Sequence, residues 1–564
     1  MRLRIRSART TALALVLVAA MVLVPAPALA TEYSCDETGL NAALSAGGGP
    51  HTFDCATPTT LVIPVKTVQK DVILDFEGNL LLSGGGTNQI FRVNPGVSLE
   101  VHNTTITDGN GFDGGAIEVG ASNEAPAFLT LVGVEMRNNR GNGGGAIYGH
   151  WDASITIIDS NLLNNTAAGT GGAVLLIYRG SLAMDGVTVS GNHGPSSAGG
   201  LFIGSKTTAD IANSTFEANS SEAGGAIVAN AAAVEIRDSS FTGNSASDSI
   251  HGGGAIFSGN SSFVVSRTRF AENSARVLGG AILLATADTL TVEQSAFTGN
   301  TAGHAGGAIA VRVAGSVELT ESEFVANTAG NRGGAVYSAY SPVIATNTNF
   351  SGNSTTPGFG GGAIFIEDRT SLTVHGGQMV DNTSQLGPAI YAVNSVAVEV
   401  ADSLIAANTS TGGEGAVTVL RGSVDITRSA LLGNVGAGDR GSAVLSYHST
   451  GSVTDSCIVG NEFPALWGFP GSQVATGNWW GDPTGPSGDG PGSGDGIEGA
   501  WDYTGFAAGP LPPCVYSEAP WAPGEPPSGV CEVLVWFDDV HVISDTDPDP
   551  DQWRITGAAR FYDF

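Results

Sequence analysis

The sequence has little positive charge. Its 564 residues include 23 Lys and Arg against 53 Asp and Glu, and the formal net charge at pH 7 is −30. Lysine occurs only at Lys66, Lys70 and Lys206. No nucleic-acid partner is expected, because the phosphate backbone is bound through clustered Lys and Arg. An acidic polysaccharide would also be repelled unless divalent cations bridged it to the protein.

Long apolar runs are absent beyond the N-terminus. Residues 1–30 contain four arginines, an apolar run over 12–24 and the small-x-small sequence Ala28-Leu29-Ala30. This pattern predicts a signal peptide cleaved after Ala30, which would leave a mature chain of charge −34. The run is shorter than the roughly 20 residues that a membrane span requires. We therefore expect a secreted protein, extracellular or on the cell surface, with no transmembrane segment in the mature chain.

Cysteine is also scarce. Cys35 and Cys55 bracket the segment before the first repeats, whereas Cys457 and Cys514 bracket the last repeat and the segment that follows it. Secreted proteins form disulfides, so we predict the pairs Cys35–Cys55 and Cys457–Cys514, with Cys531 left over. A Cys514–Cys531 pair with Cys457 free is an open alternative.

Recognisable catalytic patterns are missing. A polysaccharide lyase needs a base with acids that hold calcium, and a glycoside hydrolase needs paired carboxylates. The sequence contains no Ser/His/Asp order, metal-ligand spacing or phosphate loop, and the nine histidines are scattered. No catalytic, cofactor-binding or metal-binding residue is predicted. Calcium stays an alternative, either at Asp489 and Asp495 or at an outward ladder containing Glu293 and Glu318.

One short pattern recurs thirteen times between residues 136 and 461, at spacings of 25 to 29 residues. It consists of an apolar residue, two variable residues and an asparagine, followed by Gly-Gly-Ala-Ile or a close variant. Seven copies have Met, Leu, Val or Ile as the apolar residue, and six have Phe: Phe216/Asn219, Phe241/Asn244, Phe270/Asn273, Phe297/Asn300, Phe324/Asn327 and Phe350/Asn353. A repeat of this length predicts a solenoid in which each coil buries its apolar side against its neighbours.

The segments between the anchors alternate apolar and polar residues with period two, as in Ser316–Thr320. Such alternation predicts short strands and excludes the helical repeats. We expect three strands and three bends per coil, hence an all-β parallel β-helix of about 15 coils and a length on the order of 70 Å. The asparagines should adopt the left-handed region at one bend and stack as an amide ladder. The phenylalanines should stack inside the core.

The paired GGA[IV] and FxxN signatures resemble the repeats of the polymorphic outer-membrane-protein family over about residues 105–461. Gly199-Gly200-Leu201, Gly387-Pro388-Ala389-Ile390 and Gly441-Ser442-Ala443-Val444 depart from the motif. The resemblance implies a right-handed β-helix exposed on a cell surface, often with an adhesive role. That family usually carries an outer-membrane barrel after the repeats, and no such barrel is recognisable here.

The predicted domain organisation has six parts. Residues 1–30 form the signal peptide, 31–60 an N-terminal cap, 61–476 the repeats, 477–514 a closing segment, 515–530 a Pro-rich linker, and 531–564 a short β segment that is either a truncated domain or an interaction tail. Open coil ends need protection from edge-to-edge association. Trp479 and Trp480 in the closing segment are candidates for a plug of the last coil or for rings that stack on sugars.

The sequence thus predicts a monomeric scaffold on or outside the cell, with an adhesive or ligand-binding role. The expected partners are a host or neighbouring cell surface, matrix, or a polysaccharide. Two alternatives stay open: a polysaccharide lyase or glycoside hydrolase acting on an acidic polysaccharide, and a passive structural envelope protein.

Overall fold

The computed structural model describes residues 30–514 except 122–123, 249–251, 287, 314, 357–358, 437 and 439. The predicted signal peptide up to residue 29, the Pro-rich linker, the segment 531–564 and Cys531 lie outside the described residues.

The expected parallel β-helix is confirmed. Strands of successive coils pair in parallel, and one stack holds 16 strands, so the described chain forms 16 coils. A coil contains four strands, such as Ile309–Val311, Ser316–Thr320, Glu323–Val325 and Thr328–Ala329. The prediction of three strands per coil is wrong, because the two residues after the anchor asparagine also pair with the neighbouring coils.

The strands build four faces along the rod, and the fourth face is present in 12 of the 16 coils of the described chain. Face A follows the Gly-Gly pairs and comprises Lys66–Val68, Phe91–Val93, Ile117–Val119, Ile147–Gly149, Val174–Tyr178, Leu201–Ser205, Ile227–Asn230, Ile256–Gly259, Ile282–Leu284, Ile309–Val311, Val336–Ala339, Ile364–Glu367, Ile390–Val393, Val417–Leu420 and Val444–Tyr447. Face B comprises Gly48–Asp54, Val72–Asp75, Ser98–His102, Phe128–Val132, Ser154–Ile158, Ser181–Asp185, Thr208–Ala212, Ala233–Arg237, Ser262–Ser266, Thr289–Glu293, Ser316–Thr320, Val343–Thr346, Ser371–His375, Ala397–Ala401, Ser423–Thr427 and Thr450–Thr454.

Faces C and D are narrower. Face C carries the apolar anchors and comprises Thr59–Val62, Leu80–Ser83, Thr105–Thr107, Glu135–Arg137, Asn161–Leu163, Thr188–Ser190, Thr215–Glu217, Ser240–Thr242, Arg269–Ala271, Ala296–Thr298, Glu323–Val325, Asn349–Ser351, Gln378–Val380, Leu404–Ala406, Ala430–Leu432 and Cys457–Val459. Face D comprises Arg140–Gly141, Thr166–Ala167, His193–Gly194, Ser220–Ser221, Ser245–Ala246, Ser274–Ala275, Thr301–Ala302, Thr328–Ala329, Ser354–Thr355, Thr383–Ser384, Thr409–Ser410 and Val435–Gly436.

Non-repetitive elements lie at both ends. At the N-terminal end, strand Thr31–Ser34 pairs with face B, and helix Glu37–Ala46 begins where Asp36 accepts a hydrogen bond from the Gly39 amide. At the C-terminal end, strands Leu466–Val474 and Gly494–Asp502 pair with each other, and Pro486–Gly488 and the short 3-10 helix Pro512–Cys514 complete the end. The disulfides Cys35–Cys55 and Cys457–Cys514 are present as predicted, one at each end.

The anchor phenylalanines form one stack inside the coils. The six rings from Phe216 to Phe350 are fully buried, and neighbouring centroids lie 4.5–4.9 Å apart. Neighbouring ring planes differ by only 2–14°. The parallel register therefore places identical side chains directly above one another, as the constant repeat length requires.

The anchor asparagines form an amide ladder in the same interior. The side chain of each donates to the carboxamide oxygen of the next: Asn139, Asn165, Asn192, Asn219, Asn244, Asn273, Asn300, Asn327, Asn353, Asn382, Asn408, Asn434 and Asn461. The left-handed residue at this bend is the one before the asparagine, for example Ala326 with φ 53°. The expectation that the asparagine itself takes that conformation is wrong, because its side chain turns inward and bonds across coils.

A second ladder was not predicted. A Ser or Thr lies two residues before many of the apolar anchors. Its hydroxyl donates a hydrogen bond to the backbone carbonyl of the residue two positions earlier, and accepts one from a backbone amide of the preceding coil. Ser322, for example, donates to the Thr320 carbonyl at 2.8 Å and accepts from the Ser295 amide at 3.1 Å. The recurring Ser-x-Phe-x-x-Asn spelling, visible from Ser214 onward, was the available signal.

The amide ladder ends at a carboxylate. Asp495 accepts from the Asn461 side chain at 2.9 Å, from the Asn461 backbone amide at 2.9 Å and from the Gly460 amide at 3.0 Å. Burial outweighs these donors and raises the pKa of Asp495 to about 6. Asp495 thus closes the last coil from within the protein.

Replacing Asp495 with Asn should remove a pH-dependent penalty. A carboxyl whose pKa is higher in the folded state destabilises the fold as it ionises, so this group lowers stability between about pH 4 and pH 6. The stability of Asp495→Asn relative to the parent protein is expected to rise by up to about 3 kcal/mol from pH 4 to pH 7. Chemical unfolding at both pH values checks this, with exposed Asp489→Asn as the charge-matched control. An equal difference at both pH values would contradict it.

Candidate ligand-binding face

The candidate site lies where face A turns toward face B in the N-terminal third of the rod. The parallel register of face A aligns Arg92, Glu118 and Tyr148 in three successive coils. The next bend residues carry further polar and aromatic groups in the run His150-Trp151-Asp152. The coil geometry therefore concentrates side chains that are scattered along the sequence.

The bend positions of three successive coils carry charges. Asp152, Arg179 and Lys206 follow one another at 27-residue spacing, and all three backbones are left-handed, with φ of 61°, 52° and 58°. Arg179 forms a two-point ion pair with Asp152, at 2.9 Å through Nε and 2.6 Å through Nη2. One of only three lysines in the sequence thus stands one coil from this pair.

Two aromatic rings lie among these charges. The centroids of Trp151 and Tyr178 are 5.0 Å apart, and both side chains are half-buried. The Arg179 guanidinium carbon lies 5.7 Å from the Trp151 ring and 5.3 Å from the Tyr178 ring, and Lys206 Nζ lies 5.1 Å from the Tyr178 ring. We call Trp151, Tyr178, Arg179 and Lys206 the aromatic–cation patch.

A second group adjoins the patch through His150, the neighbour of Trp151. His150 Nε2 lies 3.0 Å from Glu118 Oε1, and Arg92 Nε donates to Glu118 Oε2 at 2.9 Å. Asp113 completes the set, because one ligand atom from each of Asp113, Glu118 and His150 lies within 4.8 Å of the others. We call Asp113, Glu118 and His150 the His–acid cluster.

The pKa values of Glu118 and of the neighbouring Tyr148 are shifted in opposite directions. Burial opposes ionisation of Glu118, but His150 and Arg92 together outweigh it and lower the Glu118 pKa below its usual range. Burial, with the nearby charges of Asp113 and Glu118, raises the pKa of Tyr148 to about 12. At neutral pH the cluster therefore holds an ionised Glu118 beside a protonated phenol.

A second cluster of charged and aromatic side chains lies further along face A, and its polar groups bond to one another. Arg332 Nη1 lies 2.7 Å from Glu367 Oε1, the Tyr337 hydroxyl donates to the same oxygen at 2.7 Å, and the Arg332 guanidinium carbon lies 5.1 Å from the Phe365 ring. Burial is the main cause that raises the Tyr337 pKa. These groups bind one another and, unlike the aromatic–cation patch, they have no lysine beside them.

The positions singled out by sequence lie elsewhere. The anchor residues are in the interior, and Trp479 and Trp480 are 9% and 0% exposed, so neither ring offers a face to a ligand. Trp480 joins the main core, whereas Trp479 packs with Cys457 and Cys514. Glu318 pairs with Thr291, and Glu293 pairs with Thr320, so the expected Glu293–Glu318 ladder is wrong by two residues of register.

Sequence reasoning missed both groups. His150 was counted only among nine scattered histidines, and Glu118 and Trp151 were given no role. Two signals were available: the dense run Tyr148-Gly149-His150-Trp151-Asp152, and the 27-residue spacing of Asp152, Arg179 and Lys206. The 27-residue spacing shows that the three side chains are neighbours only when the register of the coils is known.

No helix among the described residues is long and apolar enough to cross a membrane. This finding concerns helices within residues 30–514 alone.

The comparisons with known proteins concern the fold. The family model "right handed beta helix region" matches residues 89–270 and 145–324. No curated protein sequence matches the chain. With the parallel coils described above, the match identifies a right-handed parallel β-helix repeat protein.

Several solved structures are similar at low identity. PfbA, a surface adhesin of Streptococcus pneumoniae, is 11% identical, with 64% of this chain and 91% of that chain covered and a TM-score of 0.33. The catalytic unit of a thermostable alpha-1,3-glucanase from Streptomyces thermodiastaticus is 11% identical, with coverages of 86% and 70% and a TM-score of 0.24. The A-module of a mannuronan C-5 epimerase from Azotobacter vinelandii is 12% identical, with coverages of 78% and 100% and a TM-score of 0.25.

Proposed function

We propose that this protein is a secreted or cell-surface β-helical scaffold that adheres by binding polysaccharide at the aromatic–cation patch. The observation that carries the proposal is the pair of partly exposed rings of Trp151 and Tyr178, 5.0 Å apart and flanked by Arg179 and Lys206. Aromatic rings offer an apolar face with little entropy to lose, and the adjacent cations offer charged donors.

The charge of the patch favours an acidic sugar polymer. Asp152 neutralises Arg179 in part, so Lys206 supplies the uncompensated positive charge of the patch, in a sequence with 23 basic against 53 acidic residues. Guanidinium and ammonium groups bind carboxylates through charge-assisted hydrogen bonds. The acidic remainder of the surface would weaken binding outside the patch, which makes the contact local.

An extracellular location fits the same proposal. The two disulfides favour an oxidising compartment, and a cleaved signal peptide ending at Ala30 would direct the chain there. The GGA[IV] and FxxN repeats add the resemblance to surface-exposed polymorphic outer-membrane-protein repeats. We propose the adhesive role on these grounds together with the patch.

The test is binding of the purified protein to immobilised polygalacturonate and alginate, with a neutral β-glucan for comparison. Trp151→Ala should weaken binding to the acidic polymers by about fivefold to thirtyfold, because truncation of an aromatic anchor costs about 1–2 kcal/mol. Tyr340→Ala is the matched control, since Tyr340 is an exposed, left-handed residue at the equivalent bend further along the rod. Equal retention of both variants would refute the patch.

The same assay separates the other functional classes. Newly formed unsaturated or reducing ends would show a lyase or a hydrolase and would replace the scaffold proposal. Failure of the parent protein to bind any of the three polymers would overturn the glycan-binding proposal and favour the passive structural role.

A further inference from the structure

The His–acid cluster lies beside the patch but has a different chemistry. It combines two carboxylates with one imidazole, drawn from two successive coils. It is the only group of three or more His, Cys, Asp or Glu side chains among the described residues whose ligand atoms meet within 4.8 Å. Most acids of the rod are dispersed on outward strand positions, so this convergence is distinctive.

The backbone fixes the cluster before any ligand arrives. The Asp113 carbonyl accepts hydrogen bonds from the Gly143 and Gly144 amides of the next coil, both at 3.0 Å. Glu118 lies on face A, in strand Ile117–Val119, where its backbone is paired on both sides. Preorganisation of this kind reduces the entropy that a bound ion would otherwise have to offset.

The burial of the His150 ring supplies a further observation. His150 Nδ1 is buried and has no hydrogen-bond partner among the described residues, and the side chain is only 13% exposed. Nε2 faces Glu118 Oε1, so Nε2 is the ring nitrogen that would bind a cation held by Glu118, and Nδ1 would then carry the proton of the neutral imidazole. The Tyr148 ring packs edge-on against the imidazole, with centroids 4.7 Å apart, so the ring cannot easily turn toward water.

Arg92 acts as an orienting partner of Glu118. It donates to Oε2, while Oε1 faces His150. The Arg92–Glu118 pair therefore leaves one carboxylate oxygen directed into the cluster. Carboxylates that bind metals are commonly held by a second hydrogen bond of this kind.

We propose that Asp113, Glu118 and His150 form a binding site for a divalent transition-metal cation of the Zn²⁺ class. An imidazole with two carboxylates supplies the nitrogen and oxygen donors that Zn²⁺ accepts, and three protein ligands leave a fourth position open. Ca²⁺ fits less well, because it takes six to eight oxygen ligands. The site does not depend on glycan binding.

The test uses the untagged mature protein, freed of metal by chelation, and titrates it calorimetrically with Zn²⁺ and, separately, with Ca²⁺ at pH 7.5. The expected result is one Zn²⁺ per chain, no displacement by millimolar Ca²⁺, and a loss of affinity of at least about 100-fold in His150→Ala. His193→Ala is the control for loss of an imidazole, because His193 is exposed on face D.

The folding of each variant is checked by circular dichroism, and Asp113→Asn provides a second, milder lesion at the site. Failure of the parent protein to bind Zn²⁺, equal affinity in His150→Ala and the parent, or release of Zn²⁺ by Ca²⁺ would each overturn the proposal. Trp151→Ala should leave Zn²⁺ affinity unchanged, so a failure of glycan binding and a failure of metal binding are distinguishable.

Discussion

Asn300→Ala is expected to destabilise the rod by about 4 kcal/mol, because the substitution leaves several buried polar groups without partners. The Asn300 carboxamide oxygen accepts the Asn273 backbone amide at 3.1 Å and the Asn273 side-chain amide at 3.0 Å. Its nitrogen donates to the Phe270 carbonyl at 3.0 Å and to Asn327 at 2.9 Å. Alanine offers none of these bonds.

The matched control is Asn349→Ala. Asn349 lies on an outward position of face C, and its oxygen accepts only an exposed hydrogen bond from the Gln378 amide. Its replacement should change the midpoint of urea unfolding little, whereas Asn300→Ala should lower it strongly. Similar midpoints for the two variants would show that the ladder contributes little to stability.

Asn300→Asp sharpens the same test. A carboxylate keeps the acceptor for Asn273 but loses the donor to Phe270 and Asn327, and it brings a charge into the core. The rod tolerates a carboxylate at the end of the ladder, where Asp495 receives donors only and has no acceptor to satisfy. An interior position lacks that freedom, so Asn300→Asp should be at least as damaging as alanine.

Most of the fold could be predicted from the sequence because the residues that determine it recur at a constant spacing. Constant spacing of Phe and Asn dictates stacking, and stacking dictates parallel coils. The fourth strand was missed because Thr328-Ala329 carries no alternation of its own and pairs only through the register of its neighbours. The left-handed residue was assigned wrongly because it is Ala326, and alanine is not a residue type that is typical of the left-handed region.

The candidate site was much less readable. Glu118 and His150 are 32 residues apart, a distance longer than one repeat, and their contact depends on a coil that carries extra residues between its anchors. Trp151 and Tyr178 are ordinary in isolation. Only the register of the coils shows that Asp152, Arg179 and Lys206 stand in one column. Functional side chains that occur in a few coils do not recur with the repeat, so a search for repeated residues does not find them.

Gly307→Ala is expected to destabilise the rod strongly, as should a methyl group at the equivalent glycines Gly172, Gly254 and Gly280. A β-carbon at Gly307 would lie 2.0 Å from the Gly334 carbonyl oxygen and 2.6 Å from the Thr328 amide nitrogen, both in the backbone of the next coil. Neither atom can rotate away as a side chain can. The second glycine of the GGA motif is therefore required by the close approach of successive coils at this corner.

The coil can accommodate the methyl group only by moving apart from its neighbour, which would strain the hydrogen bonds of all four faces at once. We expect a loss of at least about 3 kcal/mol or failure to fold, assessed by thermal unfolding and by protease resistance of the expressed protein.

Two control substitutions separate the effect of close contact from the effect of backbone conformation. Gly299→Ala, with φ 63° and room for a β-carbon, should cost about 1 kcal/mol. Gly509→Ala, where a β-carbon would meet nothing within 4 Å, should cost almost nothing. If Gly307→Ala and Gly299→Ala proved equally stable, the close approach of the coils would not explain the glycine.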